Sequence, residues 1–220
     1  MLVHIIPFIA IIGYTYYPKN IRIDPKLLYY LSICHNLTLV IFSAWTCINL
    51  LSVVYEQGIV FKSKYYFQNP VFDKILFYFY LSKYYEFIDT FLLYLQGKTP
   101  IFLQKYHHIG AVISWHLVYI YKVDAIWLPS LANSFVHTVM YSYYLCCLFK
   151  IKHMRFIKHY ITTLQLIQLI GSMTTVIYYY FPPVETYYNY MIVIFISSYN
   201  TFLIWLFCNF YYNNYISKIV

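Results

Sequence analysis

Seven runs of apolar residues follow one another along the chain, at about 2–17, 27–55, 71–95, 101–121, 125–149, 160–181 and 187–212. A hydrocarbon layer about 30 Å thick takes roughly 20 helical residues to cross, so the runs are counted as membrane helices, the first being short of that length. With 62% of its 220 residues hydrophobic and 10% charged, the chain has too little polar surface to cover a soluble globule. The expected class is an all-α, multi-pass membrane protein with seven transmembrane helices. Pro100, Pro182 and Pro183 stand at helix boundaries, where proline is tolerated. No internal repeat or linker divides residues 1–220, which read as a single domain. The apolar start lacks a basic leader and a small-residue cleavage site, so no cleavable signal peptide is expected.

Fifteen Lys and Arg against seven Asp and Glu give a net charge of +8. The basic residues sit in short loops without a continuous basic face, which argues against nucleic acid and for lipid head groups or phosphorylated small molecules. One side of a seven-span topology collects Lys19, Arg22, Lys26, Lys98, Lys150, Lys152, Arg155, Lys158 and Lys218, and the other Lys62, Lys64, Lys74 and Lys122. The positive-inside rule then puts the carboxyl terminus in the cytosol. Thirty Tyr and eighteen Phe suit membrane interfaces but also have AT-rich codons, so most carry no functional weight. The five Cys lie in apolar segments without metal-ligand spacing and read as small core residues.

Ionisable side chains inside three of the spans mark the site, because each costs roughly 2.5–3.5 kcal/mol on insertion unless it faces a wet or paired interior. The third span carries Lys83, Glu86, Asp89 and Thr90, a polar stripe at helical spacing. One reading makes it a self-neutralised Lys83–Glu86 pair that locks packing. The other makes it a network that tunes neighbouring histidines and holds an anionic substrate. In the fourth span Gln104 shares a face with His107 and His108; these histidines point about 100° apart, so one belongs in a chamber and the other, His108, in a hydrogen-bonded supporting role. The fifth span presents Asn133, His137, Tyr141 and Tyr144 on one face. Asp89 and His107 each lie six residues from the cytosolic end of their spans, about 9 Å deep. Gln165 and Gln168 enter from the same side, which suggests a chamber open to the cytosol and closed beyond. His4, His35, His116, His153 and His159 lack such company and read as structural.

Taken together, these residues resemble the ELO family, the fatty acid elongases of the endoplasmic reticulum. The pattern KxxExxDT matches Lys83, Glu86, Asp89 and Thr90; the HxxHH box matches at His107 and His108, with Gln104 in place of its first histidine. NxxxHxxMYxYY matches Asn133, His137, Met140, Tyr141, Tyr143 and Tyr144; Lys158 to Gln168 and Asn209-Phe210-Tyr211 match two further segments. The match runs in order over residues 72–212. The resemblance implies six spans forming a barrel around a blind acyl tunnel, with the first span outside. It also implies a 3-ketoacyl-CoA synthase that joins acyl-CoA to malonyl-CoA and releases carbon dioxide and CoA. No metal or cofactor is called for, both CoA thioesters being substrates.

On that footing His107, His137, Lys83, Glu86 and Asp89 are the catalytic candidates. Gln104, His108, Asn133, Tyr141, Gln165 and Gln168 are the substrate-binding ones, and Lys150, Lys152, Arg155 and Lys158 are set to meet the CoA phosphates. No Cys accompanies the stripe, which leaves imidazole as the candidate nucleophile. The resemblance further implies an endoplasmic reticulum membrane location, with reductase and dehydratase enzymes and a homodimer among the expected partners. Lys218 sits where half of a dilysine retrieval signal would. A di-iron membrane desaturase or hydroxylase needs around eight clustered His ligands against the three or four that converge here. A seven-span receptor or transporter has no reason to keep these groups at one depth.

Overall fold

The structure is a computed structural model that describes residues 4–15, 21, 23–59, 65–152, 154–180 and 187–217, with every side chain among them except those at 124, 155, 175–180 and 187–189. Lys19, Arg22, Lys62, Lys64, His153, Pro182, Pro183, Lys218 and the side chain of Arg155 lie outside the described residues. The described residues form helices α1 (Ile5–Thr15), α2 (Pro25–Gln57), α3 (Pro70–Tyr85), α4 (Phe87–Leu95), α5 (Phe102–Ile120), α6 (Trp127–Leu148), α7 (Ile157–Tyr180) and α8 (Tyr187–Tyr211), and no strand. Two stretches, Pro25–Gln57 and Tyr190–Ile216, are long and apolar enough to cross a membrane; Ile5–Thr15 is apolar but shorter.

Helix ends follow local chemistry. Asp24 accepts from Lys26 N and Leu27 N ahead of Pro25, and Asn69 accepts from Val71 N ahead of Pro70, each capping a first turn whose proline has no N–H to satisfy. α4 ends on Gly97 at φ 71°, with Lys98 N donating to Leu93 O and Gly97 N to Tyr94 O, the paired bonds that a left-handed residue makes possible. Lys122 and Lys150, at φ 51° and 55°, end α5 and α6 the same way.

The single span expected over 71–95 is two helices. Glu86 interrupts it as a turn residue, and Asp89 N bonds Glu86 O in a tighter i to i+3 step. Across this turn Glu86 meets Lys83 and His137, whereas Asp89 meets His35 and Tyr141.

Neighbours run in a closed order: α2 packs on α6, α6 on α7, α7 on α8, α8 on α5, α5 on α3 and α3 back on α2, while α1 packs on α5. The α2–α6 contact is the most extensive. Thr46 of α2 and Ser130 and Ser134 of α6 are fully enclosed, and small side chains of this kind let membrane helices approach closely. A large apolar cluster of Leu50, Tyr66, Phe72, Val118, Ile126, Trp127 and Ile196 fills one end of the bundle.

Candidate functional site: buried polar networks beside a cavity

Four sets of polar contacts tie the helices together, and the motif residues divide among them. In the first, Lys83 Nζ donates to Glu86 Oε1 at 2.7 Å and to Asn133 Oδ1 at 3.0 Å, and lies 4.1 Å from the Phe79 ring centroid. Only 2% of the Lys83 residue surface and 3% of that of Glu86 is exposed, so the ammonium and carboxylate neutralise one another away from water. Because Asn133 Oδ1 accepts from Lys83, its amide nitrogen is the atom that donates to His137 Nε2 at 3.2 Å. The proton of His137 then sits on Nδ1, 3.5 Å from Glu86 Oε1. Both ring nitrogens of His137 are therefore engaged by protein, and the tautomer is set by the amide.

The second set is built on Asp89. His35 Nε2 meets Oδ1 at 2.8 Å and Tyr141 OH donates to Oδ2 at 2.6 Å, joining α4 to α2 and α6. The Tyr141 ring stands edge-on to His137, 5.6 Å between centroids, so the two networks adjoin. In the third set Thr90 Oγ1 meets Tyr14 OH at 2.9 Å and accepts from Gln104 Nε2 at 3.3 Å, joining α4 to α1 and α5.

The fourth set opens onto space. Tyr199 OH donates to the His107 carbonyl at 3.0 Å and lies 3.3 Å from His107 Nδ1. With its only hydrogen committed to the carbonyl, the phenol oxygen accepts from Nδ1–H, which leaves Nε2 as the unprotonated nitrogen of His107. Gly110, one turn on, gives the Tyr199 ring its place: an added Cβ would stand 1.9 Å from Tyr199 Cε2. His107 and Tyr199 line a cavity of about 70 Å³ between α5, α6, α7 and α8, together with Asn133, Gln168 and Asn200. Val118, Ile126 and Ile196, members of the large apolar cluster, line it as well. Its volume suits a few waters or a short alkyl stretch and is too small for a whole long-chain acyl group.

The profile of the GNS1/SUR4 family, also called ELO, matches residues 1–219. This chain belongs to the ELO family. Among its relatives, a protein named fatty acid elongase sre1 from Dictyostelium discoideum is 33% identical over 211 residues, covering 85% of this chain and 73% of that protein. One named very long chain fatty acid elongase 4 from Trypanosoma cruzi is 34% identical over 154 residues, 65% of this chain and 53% of that protein. One named very long chain fatty acid elongase 2 from Rattus norvegicus is 36% identical over 151 residues, 66% and 53%. The matched region thus spans about half of the last two and nearly three quarters of the first. No solved structure matches the chain.

Of the ELO motif residues, the structure brings His107, Asn133 and Gln168 to the cavity. Lys83, Glu86 and His137 gather behind Asn133, and Asp89 and Tyr141 form the adjoining pair. Gln104 is bound to Thr90, and Gln165 Nε2 points at Met140 Sδ, 3.2 Å away. Lys150 and Lys152 are exposed on the α6–α7 connection, and Lys158 is exposed in the first turn of α7. His108 corrects its expected hydrogen-bonded role: its ring packs near Tyr14 and Phe87, and its Nδ1 is buried with no hydrogen-bond partner. The reason is the 100° step from His107, which turns it toward α1 and α4, where the facing side chains are aromatic. His35, read from the sequence as structural, belongs to the Asp89 network, and Tyr199 and Tyr14 were not singled out at all. No spacing within α1, α2 or α8 could have found them, because their partners lie on other helices. Among the described residues, no group of three or more His, Cys, Asp or Glu is arranged to hold a metal.

Proposed function

We infer that this chain is a fatty acid elongase, a very-long-chain 3-oxoacyl-CoA synthase that condenses acyl-CoA with malonyl-CoA. The observation that carries this reading is the His107–Tyr199 pair, an imidazole with one nitrogen anchored and the other unprotonated at a buried cavity. Membership of the ELO family supports it.

His107 Nε2 attacks the acyl thioester carbonyl, the C–S bond breaks, and CoA leaves as the thiol after taking up a proton. Malonyl-CoA then enters and loses carbon dioxide. The enolate carbon so formed bonds to the acyl carbonyl as the C–N bond breaks, returning the imidazole and giving 3-ketoacyl-CoA. One proton is consumed over the cycle. His137, held by Asn133 and Glu86, acts on the malonyl side through Asn133, whose side chain lines the cavity in front of it. The Lys83–Glu86 pair fixes the charge around it. The rival course is direct condensation in a ternary complex with both histidines as acid and base.

The closed order of helix neighbours supports a barrel of six spans, with α3 and α4 counted as one and α1 outside. The acyl chain lies within it, directed toward the apolar cluster. Lys150, Lys152, Arg155 and Lys158 meet the CoA phosphates at a cytosolic mouth, and Gln104 and His108 shape the region between α1, α4 and α5. By this reading the protein sits in the endoplasmic reticulum membrane with a cytosolic carboxyl terminus and works with a reductase and a dehydratase, and its dimerisation is open to crosslinking. Membranes from a host lacking its own elongases test the function. Labelled malonyl-CoA should be incorporated into acyl chains without added iron or oxygen, and a dependence on either, or no incorporation, would sink the reading.

A further inference from the structure

The Tyr199 hydroxyl anchors His107 only while its ring keeps its place, and three residues of α5 bound that ring. His107 meets the hydroxyl through its carbonyl and Nδ1. Gly110 leaves room for the Cε2 edge. Tyr106, one turn before Gly110 and so on the same side of α5, stacks on the Tyr199 ring with 5.3 Å between centroids and 29° between planes. Tyr106 is itself held by α8. The Phe202 ring stands edge-on to it at 5.0 Å, and its hydroxyl reaches toward the Tyr199 carbonyl at 3.4 Å. That last contact is long for a hydrogen bond between oxygens, whereas both ring contacts fall within the spacing at which aromatic pairs attract. The ring of Tyr106, more than its hydroxyl, is what meets Tyr199.

We propose that Tyr106 is a positioning residue, whose ring holds that of Tyr199 over Gly110 and through Tyr199 sets which nitrogen of His107 is free to react. The proposal rests on the elongase reading, with His107 as nucleophile. His107 and Tyr199 line the cavity and Tyr106 does not, so Tyr106 acts through Tyr199 and not on the reacting groups. A smaller, non-aromatic side chain at 106 leaves space beside the Tyr199 ring. As the ring shifts into that space, the hydroxyl at its far end leaves the His107 carbonyl and Nδ1. Without that acceptor the imidazole hydrogen moves to Nε2 in part of the molecules, and in those Nε2 has no lone pair with which to attack. An aromatic pair of this kind biases the placement of a ring about two- to tenfold, which sets the size of the effect on kcat.

The test measures kcat and KM for labelled malonyl-CoA incorporation by the full-length chain, with whichever of palmitoyl-CoA, oleoyl-CoA and arachidonoyl-CoA the wild type extends fastest. Rates are taken per folded protein, from the monodisperse peak in detergent. Tyr106→Leu should lower kcat about two- to tenfold with KM for malonyl-CoA unchanged, and Tyr106→Phe, which keeps the ring, should stay within about twofold of wild type. The Tyr106→Leu/Tyr199→Phe double variant should match Tyr199→Phe alone, because with the Tyr199 hydroxyl gone its placement no longer matters. A residue that only supports packing would instead lower both backgrounds by the same factor. Where Tyr106→Leu does not yield folded protein, Tyr106→Met, which fills more of the space without a ring, replaces it in each comparison. Wild-type kcat in the folded ringless variant overturns the proposal, as does a loss that multiplies with that of Tyr199→Phe, or a Tyr106→Phe protein as slow as the ringless one. A wild type that extends no acyl-CoA fails the elongase reading itself, a distinct result.

Discussion

Replacing Gly110 by alanine perturbs the His107–Tyr199 contact without altering either residue. The new Cβ would stand 1.9 Å from Tyr199 Cε2, 2.5 Å from Cζ and 2.6 Å from Cδ2, whereas unbonded carbons settle at about 3.5–4.0 Å. The ring must retreat by about 1.5 Å, and the phenol oxygen rides at its far end. Contacts of 3.0 Å to the His107 carbonyl and 3.3 Å to Nδ1 then pass beyond hydrogen-bonding range. Overpacking of this kind lowers stability by about 1–3 kcal/mol. Misplacing a reacting group by about 1 Å lowers turnover on the order of a hundredfold. Initial rates of labelled malonyl-CoA incorporation, read beside thermal unfolding in detergent, separate the two effects. Tyr199→Phe should show the loss of kcat with little loss of stability, since the ring stays and only the hydroxyl goes. A folded Gly110→Ala protein that turns over at the wild-type rate would refute the claim that Tyr199 holds His107 in its working tautomer.

Lys83→Met should destabilise the protein by about 3–5 kcal/mol, because Glu86 would be left charged and enclosed; the Lys83→Met/Glu86→Leu double variant should recover most of the stability in denaturant titrations yet remain inactive. Tyr141→Phe or His35→Phe leaves one oxygen of Asp89 without its partner, at a cost of about 1–3 kcal/mol, visible as a lowered midpoint in the same titrations. Reversing the charges of Lys150 and Lys152 should raise KM for both CoA substrates on the order of tenfold, about 1.4 kcal/mol, with kcat and membrane insertion unchanged. Immunofluorescence of the untagged chain should overlap an endoplasmic reticulum marker, and the carboxyl terminus should be reached by antibody when only the plasma membrane is permeabilised.

Most helix positions were legible because long apolar runs were broken by a proline, a glycine or a basic loop, although the first run gives only the short helix Ile5–Thr15. Gly97 ends α4 in the left-handed region that glycine favours. Lys122 and Lys150, which do the same for α5 and α6, carry no such signal in their side chains. The break at Glu86 was not legible, since apolar residues continue on both sides and the partners His137, His35 and Tyr141 of Glu86 and Asp89 lie on other helices. Local spacing placed Lys83 with Glu86 and Asn133 with His137, which are three and four residues apart on single helices. It failed for His35, Tyr14 and Tyr199, whose contacts span 54, 76 and 92 residues. The division of one polar chamber into four linked networks, with a single imidazole at the cavity, comes from the helix arrangement and from nothing in any one segment.

The central claim is that His107 carries the acyl group. Wild-type protein incubated with acyl-CoA alone, then digested and analysed by mass spectrometry, should show an acyl adduct on His107 that is discharged when malonyl-CoA is added and is absent from His107→Ala and much reduced in Tyr199→Phe. An unmodified His107 in a preparation that turns over when both substrates are supplied would contradict it.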